Sequence, residues 1–283
     1  MKYFELNNGD KIPSIGIGTF TFKPDEAEEA VYEALLNGYR LIDTANGYMN
    51  EKAVGRAIKK SGVPREEIFL TSKLMPAVYK KADENIDATL TRLDVDYIDL
   101  MLLHQPYGAV ENAWKQLEKA VEQGKIKAIG ISNFDEKQIS KLLSYASIKP
   151  AILQTECHPY FAEKEARSKY IKDGIRVEAW YPLGHGDSKL INESIFSKLA
   201  KKYGKSKVQI ILRWHIQIGN IAIPGSKNPE HIQSNIDIFD FVLTDQEMKE
   251  IAKLDKNKRF YRMPNFLGAI IFPMVKLNYD SQK

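Results

Sequence analysis

Seven apolar runs in this sequence end in side chains that could do chemistry. They end at Asp43, at Thr71-Ser72-Lys73, at His104-Gln105, at Ser132-Asn133, at Gln154, at Trp180-Tyr181 and just before Gly225-Ser226. A carboxylate, an amine and an imidazole are the usual acid–base groups. Each also has an ordinary structural reading. Asp43 could form a turn or cap a helix. Lys73 alone reads as a surface lysine, His104 as a core histidine, Ser132-Asn133 as a helix cap and Trp180 as core. These readings weaken together, because every residue stands at the same place in a repeating unit.

That unit is a short β-rich run, a polar or glycine turn, and a segment of helical spacing. The runs are 15–18, 40–43, 68–73, 97–104, 126–132, 151–154, 176–180 and 220–224. Their Ile, Val, Leu and Phe content suits strands buried on both faces. The helical segments are 25–37, 51–61, 82–93, 110–123, 136–145, 163–173, 206–217 and 229–239, with Gly38, Gly124 and Gly174 where helices should stop. Strict alternation implies parallel strands and right-handed crossovers. Eight units in about 250 residues predict a closed (β/α)8 barrel, whose chemistry gathers at the C-terminal ends of its strands. Residues 2–13 read as a hairpin turning at Asn8-Gly9, both at positive φ. Segment 190–203 reads as a helical insertion, and 244–254 as a helix with Thr244 and Glu247 as a capping box. The chain reads as one domain over 1–283, with the hairpin at 1–14 and a tail at 260–283 that folds back.

Composition removes several classes. Apolar residues are 43% and charged residues 28%, ordinary for a globular protein. The 41 basic and 37 acidic residues nearly cancel and form no basic block, which argues against a nucleic-acid partner. No apolar run reaches the length of a membrane span, and no signal-peptide core is present. Cys157 is the single cysteine, which suits a reducing, cytoplasmic compartment and an inert buried thiol. Gly16-Ile17-Gly18 lacks the third glycine of a dinucleotide fingerprint, and Gly204-Lys205-Ser206 has Leu199 where a phosphate loop needs glycine. The five histidines show no metal spacing, and no serine-nucleophile elbow occurs.

Four segments resemble the signatures of the aldo-keto reductases. They are GYRLIDTANGYMNEKAVG (38–55), YIDLMLLHQP (97–106), GKIKAIGISNF (124–134) and IPGS (223–226) continuing to Asn235. The resemblance runs from about Phe4 to Arg259. It implies a (β/α)8 barrel that binds a nicotinamide dinucleotide and reduces aldehydes and ketones. It implies Tyr48 as general acid, with Asp43, Lys73 and His104 around it. A lysine ammonium beside the phenol favours phenolate and lowers the phenol's pKa. His104 would orient the carbonyl oxygen. Ser132, Asn133 and Gln154 would hold the carboxamide, and Trp180 would stack on the nicotinamide. Leu183, Ser226 and Asn235 would line the pyrophosphate and adenosine. Thr19 and Phe20 would lie on the rim between cofactor and substrate.

The departures set the details. Relatives usually carry lysine and arginine where this chain has Gly225 and His231, cations that grip the 2′-phosphate of NADP. Lys227 and a protonated His231 are the candidate replacements. NADP(H) is the expected cofactor and NAD(H) its rival. Gln105 stands where many relatives have tryptophan, whereas a bacterial branch resembling diketogluconate-type and glyoxal reductases also reads His-Gln-Pro. Glutamine makes the pocket more polar and points to a small polar carbonyl, such as a keto sugar acid or an α-oxo-aldehyde. Tyr181 replaces a common serine, and His158 reads as structural. The expected partner is that small molecule alone, with the protein a monomer and no metal. Two rivals are a redox-sensing nicotinamide-binding regulatory subunit, and a lyase using Lys73 as a Schiff base.

Overall fold

The computed structural model describes residues 1–261, 263–275 and 277–283, without the side chain of Glu165. Arg262 and Lys276, both in the expected tail, lie outside the described residues. A hairpin of β1 (Tyr3–Glu5) and β2 (Lys11–Pro13) sets Phe4 opposite Ile12. Its turn differs from the expected one. Gly9 alone takes positive φ, and its N–H donates to the Leu6 carbonyl at 3.0 Å. Asn8 Oδ1 accepts from the Asp10 N–H at 3.1 Å. That side-chain turn removes the need for Asn8 to enter the left-handed region.

Eight parallel strands follow in sequential order. They are β3 (Ile17–Gly18), β4 (Leu41–Asp43), β5 (Phe69–Leu74), β6 (Ile98–Leu103), β7 (Ile126–Ser132), β8 (Ile152–Glu156), β9 (Arg176–Trp180) and β10 (Ile221–Ala222). A parallel bridge between Ile15 and Ala222 closes the sheet on itself. The Gly16 N–H donates to the Ala222 carbonyl at 2.9 Å, and the Ala222 N–H to the Ser14 carbonyl at 3.0 Å. Glycine is needed at this seam. A Cβ on Gly16 would lie 2.4 Å from the Leu41 side chain, and one on Gly18 would lie 3.0 Å from the Ile223 carbonyl oxygen. The fold is the expected (β/α)8 barrel.

Strands β5, β6 and β8 are buried along their whole length. One face fills the barrel and the other meets the helices, so apolar runs without alternation are what these strands require. The hairpin lies across the N-terminal end, where Arg176 Nε donates to the Glu5 carbonyl and Asn7 to the Pro150 carbonyl, both at 3.0 Å. That leaves the C-terminal end of the strands for the site.

The expected insertion at 190–203 is two helices, Ser188–Ile191 and Ser194–Tyr203, the first capped by Asp187. Helix Asp245–Ala252 carries the expected Thr244–Glu247 capping box. The tail does fold back. Helix Asn265–Met274 lays Phe272 on the Tyr107 ring at 5.6 Å, and Gly268 sits so close to Tyr107 that a Cβ would clash. Beyond it, Asp280 pairs with Arg92 at 3.3 Å, and the Gln282 side chain accepts from the Lys52 N–H. Among the described residues no helix is long and apolar enough to cross a membrane.

Candidate active site

Asp43 is the last residue of β4, and Lys73 lies near the end of the neighbouring β5. Strand alternation divides β5 between two layers. Lys73 faces the barrel, while the Ser72 hydroxyl turns outward and donates to Glu51 Oε1 at 2.7 Å. Lys73 is fully buried, and its three ammonium hydrogens all have acceptors. Nζ donates to Asp43 Oδ1 at 2.5 Å, to the Thr44 carbonyl at 2.9 Å and to the Tyr48 hydroxyl oxygen at 3.1 Å.

Tyr48 reaches this cluster from a 3-10 turn, Asn46–Tyr48. Two buried asparagines fix that turn. Asn46 Oδ1 accepts from the Met75 N–H at 3.2 Å. Asn50 Nδ2 donates to the Thr19 and Phe22 carbonyls, and Oδ1 accepts from the Thr44 hydroxyl at 2.9 Å. His104, one residue past β6, sets its ring edge against Tyr48 at 5.5 Å. Phe20 leans on the other side of Tyr48 at 5.1 Å and is half-exposed.

Burial decides the proton affinities. Burial lowers the Lys73 ammonium, but the charges and hydrogen bonds of Asp43 and Tyr48 together outweigh it and the net direction is upward. Burial also pushes the Asp43 carboxyl up, and Lys73 pulls it back. The Tyr48 phenol is pushed up to about 12, because burial exceeds the pull of Lys73. The expected net lowering by the lysine is therefore reversed in the protein alone: the ammonium acts in the anticipated direction, and desolvation is larger. Burial, then Lys73, holds His104 well below the usual imidazole range, so the ring is neutral. Its Nδ1 is buried without a partner among the described residues.

The aldo/keto reductase family profile matches residues 14–256. The chain belongs to the aldo/keto reductase family. Morphine 6-dehydrogenase of Pseudomonas putida is 43% identical over 270 residues, covering 90% of this chain and 91% of that one. Methylglyoxal reductase of Escherichia coli is 38% identical over 268 residues, covering 94% and 98%. The crystal structure of a Bombyx mori aldo-keto reductase in complex with NADP superposes with a TM-score of 0.88 at 34% identity, covering 93% of this chain and 95% of that one. This reductase is an oxidoreductase of that family.

A second group of residues borders the Asp43–Lys73 cluster in the reductase. Ser132 ends β7, and Asn133 follows at positive φ. Asn133 Nδ2 donates to the His104 carbonyl at 3.2 Å and to Ser132 Oγ at 3.0 Å, while Oδ1 accepts from Trp180 Nε1 at 3.0 Å. One asparagine thus sets the rotamers of its serine neighbour and of the indole. Helix Glu136–Leu143 takes its cap from Asp135, which leaves Ser132 and Asn133 free of that duty. Gln154 on β8 donates to Asp43 Oδ2 at 2.7 Å. The half-buried Trp180 meets Tyr181 and Tyr261 edge-on, at 4.7 and 5.8 Å.

The other expected site residues have their own partners. Thr19 is fully buried, with its hydroxyl on the Asp43 carbonyl at 3.1 Å. Leu183 caps the 3-10 turn Gly184–Gly186. Ser226 Oγ accepts from the Asn228 N–H before helix Pro229–Ile236, His231 is exposed on that helix and Asn235 is buried. Lys227 is tied to Glu26 at 2.7 Å. Gln105 is buried with its backbone clamped by the Tyr79 hydroxyl, which donates to the Gln105 carbonyl at 2.8 Å. Cys157 and His158 are buried, the thiol pushed up to about 12 by burial.

One carboxyl escaped the sequence reading. Glu178 on β9 is fully buried, and its Oε2 accepts from Gln154 Nε2 at 3.0 Å. Its signal was present: it is the acidic residue inside an apolar run, two positions before Trp180 and so on the same strand face.

Proposed function

We propose that this reductase converts small polar aldehydes and ketones, such as α-oxo-aldehydes and keto sugar acids, to alcohols with Tyr48 as the proton donor. The carrying observation is the Asp43–Lys73–Tyr48 chain, buried and bonded at 2.5 and 3.1 Å. The reading puts the work in the cytoplasm, by a monomer.

The residues fit the nicotinamide cofactor. Ser132, Asn133 and Gln154 offer a hydroxyl and two amides beside the Trp180 ring, a donor and acceptor set for a carboxamide on a flat aromatic. Gln154 uses its NH₂ on Asp43 and Glu178, which leaves Oε1 to accept. Leu183, Ser226 and Asn235 would hold the pyrophosphate and adenosine. Lys227 would leave its exposed pair with Glu26 for the 2′-phosphate, a small loss because exposed pairs are weak. NADPH supplies the hydride when bound.

The chain's own groups handle charge and proton. His104 is neutral, so it can donate one hydrogen bond to the carbonyl oxygen but is no imidazolium acid. Tyr48 keeps its proton until negative charge develops on that oxygen. A phenol held near 12 still gives its proton readily to an alkoxide, which is the stronger base. Lys73 stabilises the phenolate left behind, and Asp43 holds the ammonium in place. The same pairing opposes the lyase reading, since a Schiff base needs a free amine. Phe20, Trp180 and Tyr261 form apolar walls, and Gln105 is the polar residue of the pocket.

Turnover with NADPH over a panel of carbonyls tests this. Methylglyoxal or a keto sugar acid is expected to exceed long-chain and aryl aldehydes in kcat/KM by about tenfold or more, the scale of one satisfied polar contact. Far better turnover of the apolar aldehydes would reject the substrate class. NADPH binding without turnover of any carbonyl would favour a regulatory subunit.

A further inference from the structure

Glu178 has no part in the scheme above, yet it lies one residue from its centre. Gln154 Nε2 sits between two carboxyls, 2.7 Å from Asp43 Oδ2 and 3.0 Å from Glu178 Oε2. Both hydrogens of the amide are therefore used. The reverse orientation would place a carbonyl oxygen against two acceptors, so the amide is locked with Oε1 away from them. Lys73 gives nothing to Glu178, because Asp43, Thr44 and Tyr48 take its three hydrogens. The strands flanking Glu178 bring Gln154 on one side and Ile221 on the other, and neither carries charge. The charged or titratable groups facing it across the barrel are Asp43, Lys73 and Tyr48. Two buried carboxylates sharing one ammonium cannot both be ionised cheaply.

We propose that Glu178 is a positioning residue: its Oε2 holds the Gln154 amide so that Oε1 is presented as an acceptor to the carboxamide N–H of the cofactor. The inference rests on the cofactor reading given above. The proton affinity agrees with the geometry. Burial, then the Asp43 charge, push the Glu178 carboxyl up to about 8. The Gln154 hydrogen bond favours the ionised form, so ionisation above that value keeps the amide held, while the second negative charge further disfavours a Tyr48 phenolate.

The sign for stability follows. An acid whose pKa is higher folded than unfolded keeps a proton that the unfolded chain has lost. Between the ordinary carboxylate range and about 8, this group makes the folded state less stable as pH rises. E178Q stays neutral and removes that slope, and E178L removes the acceptor as well.

The experiment measures NADPH dissociation constants by nicotinamide fluorescence, and melting of the cofactor-free protein, for the unaltered chain, E178Q and E178L across pH. The unaltered protein is expected to bind NADPH with an affinity that changes by less than about threefold through pH 8, because the carboxyl accepts from Gln154 in either form. E178Q, whose own amide oxygen can accept, is expected to keep that affinity and to gain melting temperature over the unaltered chain as pH rises. E178L is expected to bind about tenfold more weakly at every pH, with kcat at saturating NADPH changed less than the affinity. An E178L with unchanged affinity, or an E178Q that binds about tenfold more weakly or keeps the stability slope, would overturn the proposal. If E178L does not fold, the E178Q comparison decides. Failure of the unaltered protein to bind NADPH would overturn the cofactor reading and this inference with it. Normal binding that is indifferent to Glu178 would overturn the inference alone.

Discussion

The Asp43–Lys73–Tyr48 cluster and the Gly225–Asn235 segment are held in opposite ways. In the first, strand ends and a pinned 3-10 turn place every polar group, and Lys73 has an acceptor for each hydrogen. In the second, Gly225, Lys227 and His231 are exposed, and Lys227 is held by a partly exposed Glu26 and the face of the Phe22 ring. A buried ion cannot rearrange without large cost, whereas an exposed one exchanges partners freely. On the proposed reading the chemistry is thus built into the barrel, and the grip on the cofactor's far end is adjustable. Substitutions in the two regions should differ both in size and in what they change.

The largest effect is expected from Lys73→Met. It leaves Asp43 buried without its cation, at about 3–5 kcal/mol of stability. It also removes the phenolate's counter-charge, so turnover should fall by about a thousandfold. Chemical denaturation and steady-state kinetics would check both. A stable, active variant would mean that the cluster is less dry than its burial implies.

A pH series sharpens the comparison. Alcohol oxidation needs the Tyr48 phenolate, and burial keeps the phenol up near 12. The oxidation rate with saturating cofactor should therefore climb by about tenfold per pH unit through the alkaline range. Carbonyl reduction needs the protonated phenol and should show no such rise. An oxidation rate already level at neutral pH would mean that the proton leaves far more readily than its burial allows.

The smallest effect is expected at the far end. Lys227→Ala should weaken NADPH binding by about threefold, less in high salt, with NADH binding and kcat unchanged. Fluorescence titration at two ionic strengths reads it. A loss as large as that from Lys73→Met would break the contrast between the two regions.

Much of the first region could be read from the sequence, and the reason is geometric. A residue ending an apolar strand run in a barrel faces one rim, so Asp43, Lys73, His104, Asn133 and Trp180 were placed by pattern. Tyr48 follows β4 in a loop, where no periodicity applies, and only the family signature pointed to it. Glu178 was hidden because the eye passes over one acid inside an apolar run, although alternation puts it with Trp180 in the barrel. The direction of the Tyr48 shift was beyond pattern altogether. It depends on how completely the folded barrel excludes water, which is a tertiary property. The hairpin turn missed for a local reason, the Asn8 side chain standing in for backbone geometry.

The central claim is that Tyr48 donates the proton from a site otherwise complete without it. The direct test is Tyr48→Phe, comparing NADPH binding with single-turnover reduction of methylglyoxal. Binding should stay within about twofold, because the proposed cofactor contacts lie on Ser132, Asn133, Gln154 and Trp180, while the reduction rate should fall by about a hundredfold to ten-thousandfold. Reduction at the unaltered rate would contradict the account, since the proton would then have to come from a group other than Tyr48.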